Sequence, residues 1–397
     1  MRERGPWPVR VAMFTETYLP STDGVVTRLL ATLEHLNRLG HEVLVLAPDG
    51  GPPTYAGARV VGFPGNPFFL YPDKRVIWPR VRTLDLLRDF SPDVIHTLNP
   101  TVFGIGAILA SRSMGVPLVA SYHTHFPHYA KLYGFGYLSG AIWTYMRLLH
   151  NRAAVNLCTS DAARVELVRH GFARVRVWSH GVDLQRFRPL PADPAMRLRL
   201  GGGSQVPMVL LYVGRLAAEK QLERLLPLAR RPEVRLALVG DGPARQALEA
   251  AFAGTSAVFT GNLHGDELIA AYTSADAFVF PSTTETLGLV LLEAMACGLP
   301  VIAAHSHPSH LLLGEGEAGI FYDGDDTAAL LAAVDSLAGS PELTARLRAG
   351  ARARGARHGW DGPTRQLLGY YDEALGLAGA GAGAPHLASG GSGAGGR

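Results

Sequence analysis

Short apolar runs and amphipathic stretches alternate along the first half of the chain. One apolar run covers residues 9–16, a pattern of helical period covers 25–38, and a second apolar run covers 42–48. The same order returns at 92–98, 102–114 and 116–124, and again at 154–160, 161–170 and 175–183. Strands that alternate with helices in this way are typical of a parallel sheet with helices on both faces. The first half is therefore predicted to be a doubly wound α/β domain.

A stretch at 186–207 interrupts this alternation because it is rich in proline and glycine. Such a composition indicates a linker, here with a short helix. The alternation then restarts, and a final helical pattern covers 362–376. The strands predicted for the second half are the apolar runs at 209–216, 234–242, 257–263, 277–282, 299–304 and 318–323. The predicted fold class is therefore α/β, with two doubly wound, Rossmann-like domains facing a cleft.

Composition places the chain among globular proteins. It has 397 residues, too many for one small core, and 47% of them are apolar. Two distant cysteines, Cys158 and Cys297, give no disulfide framework, so a reducing cytoplasm is the expected compartment. The N-terminus lacks the apolar core of a signal peptide, and no apolar run is long enough to span a membrane.

Charge is unevenly distributed although the net charge is only +3. Residues 1–190 hold 21 Lys and Arg against 13 Asp and Glu, whereas residues 191–397 hold 16 against 21. A basic half favours an anionic surface, either lipid or nucleic acid. An ordinary scatter of surface charge gives the same count, so the charge alone selects neither partner.

Two cations follow one predicted strand of the second half. Arg215 lies at the strand end, and Lys220 lies five residues further, near a helix start. Ligands of doubly wound domains bind where strands end, and two cations there suit a diphosphate. A solvated surface pair is the alternative interpretation.

The segment TETLGLVLLEAM, residues 284–295, carries two glutamates around an apolar run. A helix is predicted to begin near Thr286–Leu287, with Glu285 at its N-terminal edge and Gly288 in its first turn. Glu293 then lies two turns further along on nearly the same face. Carboxylates accept hydrogen bonds from sugar hydroxyls, and a helix N-terminus attracts anions. Glu285 alone could be a simple cap, but Glu293 in an apolar run needs a partner or a ligand.

These motifs together resemble the retaining glycosyltransferases of family four, which have the GT-B fold. The resemblance rests on GRLAAEK around Arg215 and Lys220, on VGDGP at 239–243, and on the Glu285-x7-Glu293 spacing. It extends over residues 9–375. Further segments are similar to the glycolipid-forming branch, which includes sulfoquinovosyl-diacylglycerol synthases and diacylglycerol mannosyl- or glucosyltransferases. These segments are SYHTHFPHY (121–129), RLLHNRAA (147–154), MRLRLG (196–201) and AVFTG (257–261).

The resemblance implies a donor site for a UDP- or GDP-linked sugar. Arg215 and Lys220 would bind the diphosphate, Glu293 would hold the ribose, and His123 would lie beside the reacting sugar. Glu285 and the segment after it would hold the sugar and phosphate, and backbone elsewhere would grip the base or approach a phosphate. The remaining donor residues implied are Gly24, Gly240, Leu263, His264, Thr286, Leu287 and Gly288. Asp23 beside a diphosphate is unfavourable unless its carboxylate points away.

The resemblance also implies retention at the anomeric carbon by front-face attack. The acceptor hydroxyl would enter on the side from which the diphosphate leaves, and a phosphate oxygen would take its proton. Closure about the linker at 186–207 would assemble the site and exclude water.

The acceptor side and the domain limits follow from the same resemblance. An N-terminal acceptor domain is predicted at 1–187, joined by a crossing helix at 360–376, with the donor domain at 188–359 and a disordered tail at 377–397. A membrane lipid such as diacylglycerol is the predicted acceptor, with the protein peripheral on the inner face of the cell membrane and no nucleic acid bound. Tyr18, Phe126 and Tyr129 are the acceptor candidates, and an aromatic group could dip into the bilayer interface: Phe126, Tyr129, Tyr133, Phe135 and Tyr137.

Two polar clusters could suggest a metal, but neither is predicted to hold one. His123, His125 and His128 have no carboxylate or cysteine near them in the sequence. His125 and His128 are given acceptor or structural roles. The acidic stretch from Asp323 to Asp326 has glycine in second place, which is typical of a turn. No metal and no cofactor beyond the donor are expected.

One departure from the family pattern leaves other functions open. The family has a Gly-Gly-x-Pro stretch after the strand at 299–304, whereas this chain has AHSHPSHLL at 304–312. Bulky His305 and His307 near the donor would change the sugar or weaken activity. The alternatives are a transferase acting on a soluble acceptor, a nucleotide-sugar epimerase, and a nucleotide-sugar sensor. A dehydrogenase fits poorly because Gly104 and Gly106 lack a third glycine and a later acidic residue.

Overall fold

A computed structural model describes residues 8–21, 23–68, 71–78, 81–127, 130, 134–283 and 288–382. Its first half contains an eight-stranded sheet in the order β10-β9-β8-β7-β1-β2-β4-β3, parallel except for the β3–β4 pair. The strands are β1 (Arg10–Thr15), β2 (Glu42–Pro48), β3 (Thr54–Tyr55), β4 (Ala58–Phe63), β7 (Val94–Leu98), β8 (Leu118–Ser121), β9 (Val155–Cys158) and β10 (Val175–Val177). A separate antiparallel hairpin joins β5 (Asn66–Phe68) to β6 (Tyr71–Val76).

Helices cover both faces of this sheet. The central strands are almost continuously apolar, because a parallel sheet covered on both faces exposes neither set of side chains. Leu29 and Leu33 belong to the core on one face, and Phe103 and Ala107 to the core on the other. The helices of this half are α1 (Gly24–Arg38), α2 (Val81–Phe90), α3 (Val102–Met114), α4 (Ser139–His150) and α5 (Asp161–Arg169).

The second half contains a six-stranded parallel sheet in the order β13-β12-β11-β14-β15-β16. Its strands are β11 (Met208–Val213), β12 (Val234–Val239), β13 (Val258–Gly261), β14 (Ala277–Phe280), β15 (Val301–Ala304) and β16 (Gly319–Tyr322). Its helices are α6 (Pro194–Leu200), α7 (Leu226–Ala229), α8 (Arg245–Ala251), α9 (Gly265–Ser274), α10 (Leu289–Ala296), α11 (His307–Leu313), α12 (Thr327–Gly339) and α13 (Pro341–Gly355). The predicted fold class, two Rossmann-like domains, is confirmed.

The last helix, α14 (Asp361–Ala382), packs against the first sheet rather than the second. Leu367 and Tyr371 of α14 are buried in the same core as the side chains of β1 and β2. The indole Nε1 of Trp178, just after β10, donates to the Pro363 carbonyl at 3.1 Å. The helix runs six residues beyond the predicted end at 376, into the stretch predicted to be disordered. The remainder of that tail, 383–397, lies outside the described residues.

Pattern reading located the long regular elements well and missed others. The predictions for β2 at 42–48 and α3 at 102–114 match the observed bounds. The strand β4 and the helices α2 and α4 were not predicted. The α4 sequence SGAIWTYMRLLH buries Trp143 and Met146 and exposes Tyr145 and Leu148.

Candidate functional site

The end of β11 carries the two predicted phosphate-binding cations on a tightly packed loop. Arg215 and Lys220 are both partly buried, and Lys220 ends the 3₁₀ turn Ala218–Lys220. The Tyr212 hydroxyl donates to the Arg215 carbonyl at 3.2 Å. A Cβ placed on Gly240, at the end of β12, would lie 2.0 Å from the Gly214 carbonyl oxygen. Gly240 is therefore required for this backbone packing, whatever its role toward a donor.

Hydrogen bonds tie this loop to the loop after β14. The Ser282 hydroxyl donates to the Glu219 carbonyl at 3.3 Å. The Gln221 side-chain oxygen accepts from the Thr283 backbone at 3.1 Å and from its hydroxyl at 3.0 Å. Gln221 itself has φ of +55°, in the left-handed region. The structure therefore brings the Arg215–Lys220 loop next to the segment that leads to the predicted glutamate helix.

That helix, α10, begins later than predicted. It starts at Leu289, and Gly288 is its N-cap residue with φ of +63°, so the prediction of Gly288 inside the first turn is wrong. A left-handed φ suits glycine, which has no Cβ to clash. Glu285, Thr286 and Leu287 lie outside the described residues, so their predicted donor contacts stay predictions.

Glu293, in the middle of α10, is hydrogen-bonded to a tyrosine. The Tyr272 hydroxyl donates to its Oε2 at 2.7 Å. Burial raises the pKa of the Glu293 carboxyl to about 7, although the Tyr272 hydrogen bond and the charge of Arg186 both act to lower it. One carboxylate oxygen is thus engaged by tyrosine, which leaves capacity on the other oxygen for hydroxyl donors.

The two residues predicted to grip the base lie at the start of α9. Leu263 is buried in the core of the second half, and His264 is the exposed N-cap residue of α9. Their predicted contact with the base uses backbone groups. These groups lie at the carboxyl edge of the second sheet because they follow β13.

The loop after β1 resolves the difficulty raised by Asp23. Its Oδ1 accepts from the backbone N–H groups of Val25 and Val26, both at 3.0 Å, so Asp23 caps α1. The carboxylate is therefore directed at its own helix. Gly24 is the first residue of α1.

A buried glutamate that the sequence did not single out fixes the neighbouring strand end. Glu16 accepts hydrogen bonds from the Thr101 and Phe103 backbone N–H groups, both at 3.0 Å, and from the Thr101 hydroxyl. Burial raises the pKa of its carboxyl. It therefore anchors the N-terminus of α3 to the end of β1.

His123 lies just beyond β8 and is held by its neighbours. The Asn99 side-chain oxygen accepts from the backbone N–H of His123 at 2.7 Å and of Thr124 at 3.0 Å. The imidazole Nε2 lies 2.8 Å from the Ser121 hydroxyl. Burial, and then the charge of Arg28, holds the pKa of His123 well below its ordinary value, so the ring is neutral. Asn99 was missed because a single asparagine after a strand carries no distinctive pattern.

Arg28 of α1 is a fully buried cation beside His123. Its Nη2 donates to the carbonyls of Trp178 and Ser179, at 2.9 and 2.7 Å, and its guanidinium lies 3.5 Å from the centre of the Trp178 ring. Burial lowers its pKa to about 9, which leaves it protonated at neutral pH. Sequence reading gave no signal for this residue because it lies on an ordinary amphipathic helix.

The predicted acceptor residues Tyr18 and Phe126 lie in different environments. Tyr18 is buried in the core of the first half, and its hydroxyl donates to the Pro52 carbonyl at 3.4 Å. Its predicted acceptor contact stays a prediction. Phe126 is partly buried and packs against the cluster around Tyr122 and Trp143. Tyr129 lies outside the described residues.

The described residues of the histidine cluster and of the acidic turn have partners within the protein. His125 pairs with Glu166, 2.9 Å away, and His128 lies outside the described residues. Asp323 accepts from the backbone N–H of Asp325, and Asp326 caps α12, so the predicted turn is confirmed. Within the part of the chain that the structure describes, no group of three or more His, Cys, Asp and Glu residues could hold a metal ion.

The departure after β15 forms a stack of aromatic rings. Nδ1 of His305 lies 2.8 Å from Nε2 of His310, and the rings of both stack with Phe321 of β16. Ser306 and Ser309 form a capping box that starts α11. The rings of His305 and His310 thus lie stacked at the carboxyl ends of β15 and β16.

Comparisons with known proteins agree with this architecture. The model of Glycosyltransferase Family 4 matches residues 22–186, and that of Glycosyl transferases group 1 matches residues 204–354. A solved structure of Anabaena Alr3699/HepE in complex with UDP-glucose superposes with a TM-score of 0.74 at 19% identity, covering 92% of this chain and 99% of that one. The two facing Rossmann-like domains are those of the GT-B class of glycosyltransferases.

Relatives of known function identify the family within the GT-B class. Over 377 residues the chain is 39% identical to the GDP-mannose-dependent alpha-mannosyltransferase of Mycolicibacterium smegmatis, covering 93% of this chain and 98% of the relative. It is 36% identical to sulfoquinovosyl transferase SQD2 of Arabidopsis thaliana, covering 91% and 72%. It is 29% identical to the alpha-monoglucosyldiacylglycerol synthase of Streptococcus pneumoniae, covering 84% and 80%. The chain belongs to glycosyltransferase family 4 and is a retaining glycosyltransferase that uses a nucleotide sugar.

Proposed function

We propose that this enzyme transfers a hexosyl group from a UDP- or GDP-linked sugar to a hydroxyl of a membrane lipid, such as diacylglycerol or a glycolipid. The Streptococcus relative is named for a diacylglycerol product and the Mycolicibacterium relative for a GDP-mannose donor. The first name supports a lipid acceptor for this chain, and the second supports a nucleotide-sugar donor.

An exposed apolar stripe on the first domain is the observation that carries the lipid acceptor. Leu138, Ala141, Tyr145 and Leu148 are all exposed, and their spacing places them on one face of α4 and the turn before it. Tyr137 beside them is 78% exposed. An exposed apolar stripe of this kind fits the interfacial zone of a bilayer, where Tyr is favoured.

Charge around this stripe supports the same partner. The segment from residue 94 to residue 160 contains no Asp or Glu, whereas it contains Arg112, Lys131, Arg147 and Arg152. A cationic, apolar surface suits the cytoplasmic leaflet, which carries anionic lipids. We place the enzyme in the cytoplasm, peripheral on the inner face of the cell membrane. Within the described residues, no helix is both long enough and apolar enough to cross a membrane.

In the proposed mechanism the protein stabilises the departing diphosphate. Arg215 and Lys220 neutralise the charge that grows on it as the glycosidic bond breaks. The acceptor hydroxyl attacks from the same face, and a donor phosphate oxygen takes its proton, so configuration is retained. No metal is required in this scheme because the two cations and the N-terminus of α10 supply the positive charge.

The other donor residues have proposed positions along the nucleotide sugar. Glu293 accepts from the ribose, and the backbone of Leu263 and His264 holds the base. The segment Glu285, Thr286, Leu287 and Gly288 holds the sugar and its phosphate, and Gly24 and Gly240 let backbone approach the diphosphate.

The proposed domain division follows from the same scheme. Residues 1–187 with α14 form the acceptor domain and 188–359 the donor domain. The two close about the linker at 186–207.

Nucleotide release tests the activity. The full-length protein is incubated with UDP- and GDP-sugars, with and without diacylglycerol vesicles, and glycolipid is sought by mass spectrometry. We expect nucleotide release that depends on lipid and a product whose mass matches one sugar added. Release in the absence of lipid that matches transfer to a soluble sugar would overturn the lipid acceptor. Binding of a nucleotide sugar without release on any acceptor would favour the sensor.

Replacing the apolar stripe tests the membrane surface separately. Tyr145→Ser combined with Leu148→Ser is expected to weaken binding to anionic vesicles, measured by flotation, by about 30-fold, because each of the two exposed apolar side chains adds about 1 kcal/mol of interfacial binding. Leu198→Ser, which removes an exposed leucine from α6 of the other domain, is the matched control and should float like the parent. Equal flotation of both variants would place the membrane contact elsewhere.

A further inference from the structure

A chain of buried hydrogen bonds connects α14 to His123. The Tyr371 hydroxyl lies 2.8 Å from Nδ1 of His96, and Nε2 of His96 lies 3.0 Å from the Ser121 hydroxyl. The same hydroxyl lies 2.8 Å from Nε2 of His123. Tyr371, His96 and Ser121 are fully buried, and His123 is 3% exposed. We call these four side chains the tyrosine–histidine relay.

Both histidines of the relay are neutral. Burial, reinforced by the charge of Arg28, lowers the pKa of His96 to about 3. His123 is shifted in the same direction by burial and by the groups that face it, namely Arg28, His96, His180 and His150. A neutral imidazole has one N–H and one acceptor nitrogen. A histidine that accepts a hydrogen bond at one ring nitrogen therefore donates one from the other.

The direction of the relay is set at its tyrosine end. Among the described residues, the hydrogen-bond partner of the Tyr371 hydroxyl is Nδ1 of His96. If the phenol donates, Nε2–H of His96 donates to Ser121, and the serine hydroxyl then donates to Nε2 of His123. The proton of His123 is thereby placed on Nδ1.

The reverse direction costs more. It would leave the phenol hydrogen of Tyr371 without an acceptor in a fully buried core, which is the expensive case for a polar group. The forward direction leaves one buried group unpaired, the Nδ1–H of His123. The reverse direction leaves two unpaired among the described residues, the phenol hydrogen of Tyr371 and the lone pair on Nδ1 of His123. That position follows the carboxyl end of β8, where ligands of doubly wound domains bind.

We propose that Tyr371, His96 and Ser121 are positioning residues that hold neutral His123 in its Nδ1–H tautomer. His123 then offers one N–H donor to an oxygen of the nucleotide sugar. The identity of that oxygen rests on the proposed function, whereas the tautomer is a property of the unliganded protein. A second consequence is that α14, which follows the donor domain in the chain, fixes the tautomer of the His123 imidazole at the reacting sugar.

Nitrogen NMR of full-length protein labelled with ¹⁵N-histidine tests the tautomer directly. The His123 signals are assigned as those lost in His123→Gln. We expect protonated Nδ1 and unprotonated Nε2 in the parent, with no change between about pH 5.5 and 8.5. Tyr371→Phe, which removes only the hydroxyl, should introduce the Nε2–H tautomer. Tyr370→Phe is the matched control, because the Tyr370 hydroxyl donates to the Val177 carbonyl at 2.6 Å outside the relay. It should leave the His123 signals unchanged.

Kinetics provide the functional readout. Tyr371→Phe is expected to lower kcat/KM for the donor about fivefold, because without the phenol donor the relay no longer holds His123 in one tautomer. Tyr370→Phe should leave kcat/KM unchanged. A parent His123 protonated at Nε2, or titrating near pH 6.5, would overturn the relay even if sugar transfer occurs. The expected tautomer in a protein that transfers no sugar would uphold the relay and reject the proposed function.

Discussion

Lys220→Ala is expected to lower kcat by about 100-fold or more while the protein stays folded. Lys220 ends a short 3₁₀ turn, is partly buried and lies on the same loop as Arg215. Preorganised charge of this kind acts mainly on the transition state, where the leaving diphosphate gains negative charge. The loss should therefore fall on kcat, with a smaller change in donor KM.

Steady-state kinetics with the parent, Lys220→Ala and Arg230→Ala measure this effect. Arg230 is an exposed cation at the end of α7, so its variant controls for a change in net charge within the same half of the chain. Turnover of Lys220→Ala near the parental rate would remove the electrostatic mechanism. Thermal unfolding of all three proteins separates this result from a loss of fold.

Glu293→Gln is expected to weaken donor binding by about 10-fold to 100-fold and at the same time to stabilise the fold at alkaline pH. The amide still accepts the hydrogen bond from Tyr272, but it lacks the charge that strengthens hydrogen bonds from ribose hydroxyls by about 1.5–3 kcal/mol. Loss of donor affinity with a gain in stability is the expected signature of a buried charge kept for binding.

The Glu293 carboxyl changes the free energy of unfolding with pH in a definite direction. The pKa of the Glu293 carboxyl rises from 4.5 in the unfolded chain to about 7 in the fold, because burial disfavours its ionised form. Between these values the unfolded chain loses the proton first, so stability falls as pH rises from about 4.5 to 7. The cost above pH 7 is at most about 3 kcal/mol. Urea unfolding at pH 5 and pH 8 should therefore show a gain for Glu293→Gln that grows with pH.

Glu267→Gln serves as the control for this pair of measurements. Glu267 is an exposed carboxylate in the first turn of α9, paired with Arg199 on the surface. Its variant should neither gain stability with pH nor lose donor affinity in calorimetric titration. Unchanged donor affinity in Glu293→Gln would remove the ribose contact from the scheme, whatever the unfolding data show.

The fold was predictable from the sequence because parallel strands buried on both faces are short apolar runs that contrast with the amphipathic helices between them. The contrast did not reveal α4, which exposes Tyr145 and Leu148. It also did not reveal the two-residue edge strand β3 or its neighbour β4. The family resemblance supplied the donor residues, since the spacing of Glu285 and Glu293 has no meaning without it.

Positioning residues could not be predicted, because their roles depend on partners far apart in the chain. His96 acts through Ser121 and Tyr371, and the latter lies 275 residues away. The burial of Tyr18 could not be predicted for a related reason. A tyrosine after a strand is equally compatible with a cleft and with a core, and only packing against the rest of the chain decides between them.

The crossing of α14 onto the first sheet determines where this enzyme can be recombined with its relatives. Leu367, Tyr371 and Ala374 fill the same core as α1 and β2, although they lie hundreds of positions further along the chain. A chimera that takes its acceptor half from one relative and everything after the linker from another would join mismatched core surfaces. Exchange of acceptor specificity therefore requires two splice points, one in the linker and one before Asp361, so that the helix travels with the sheet it covers.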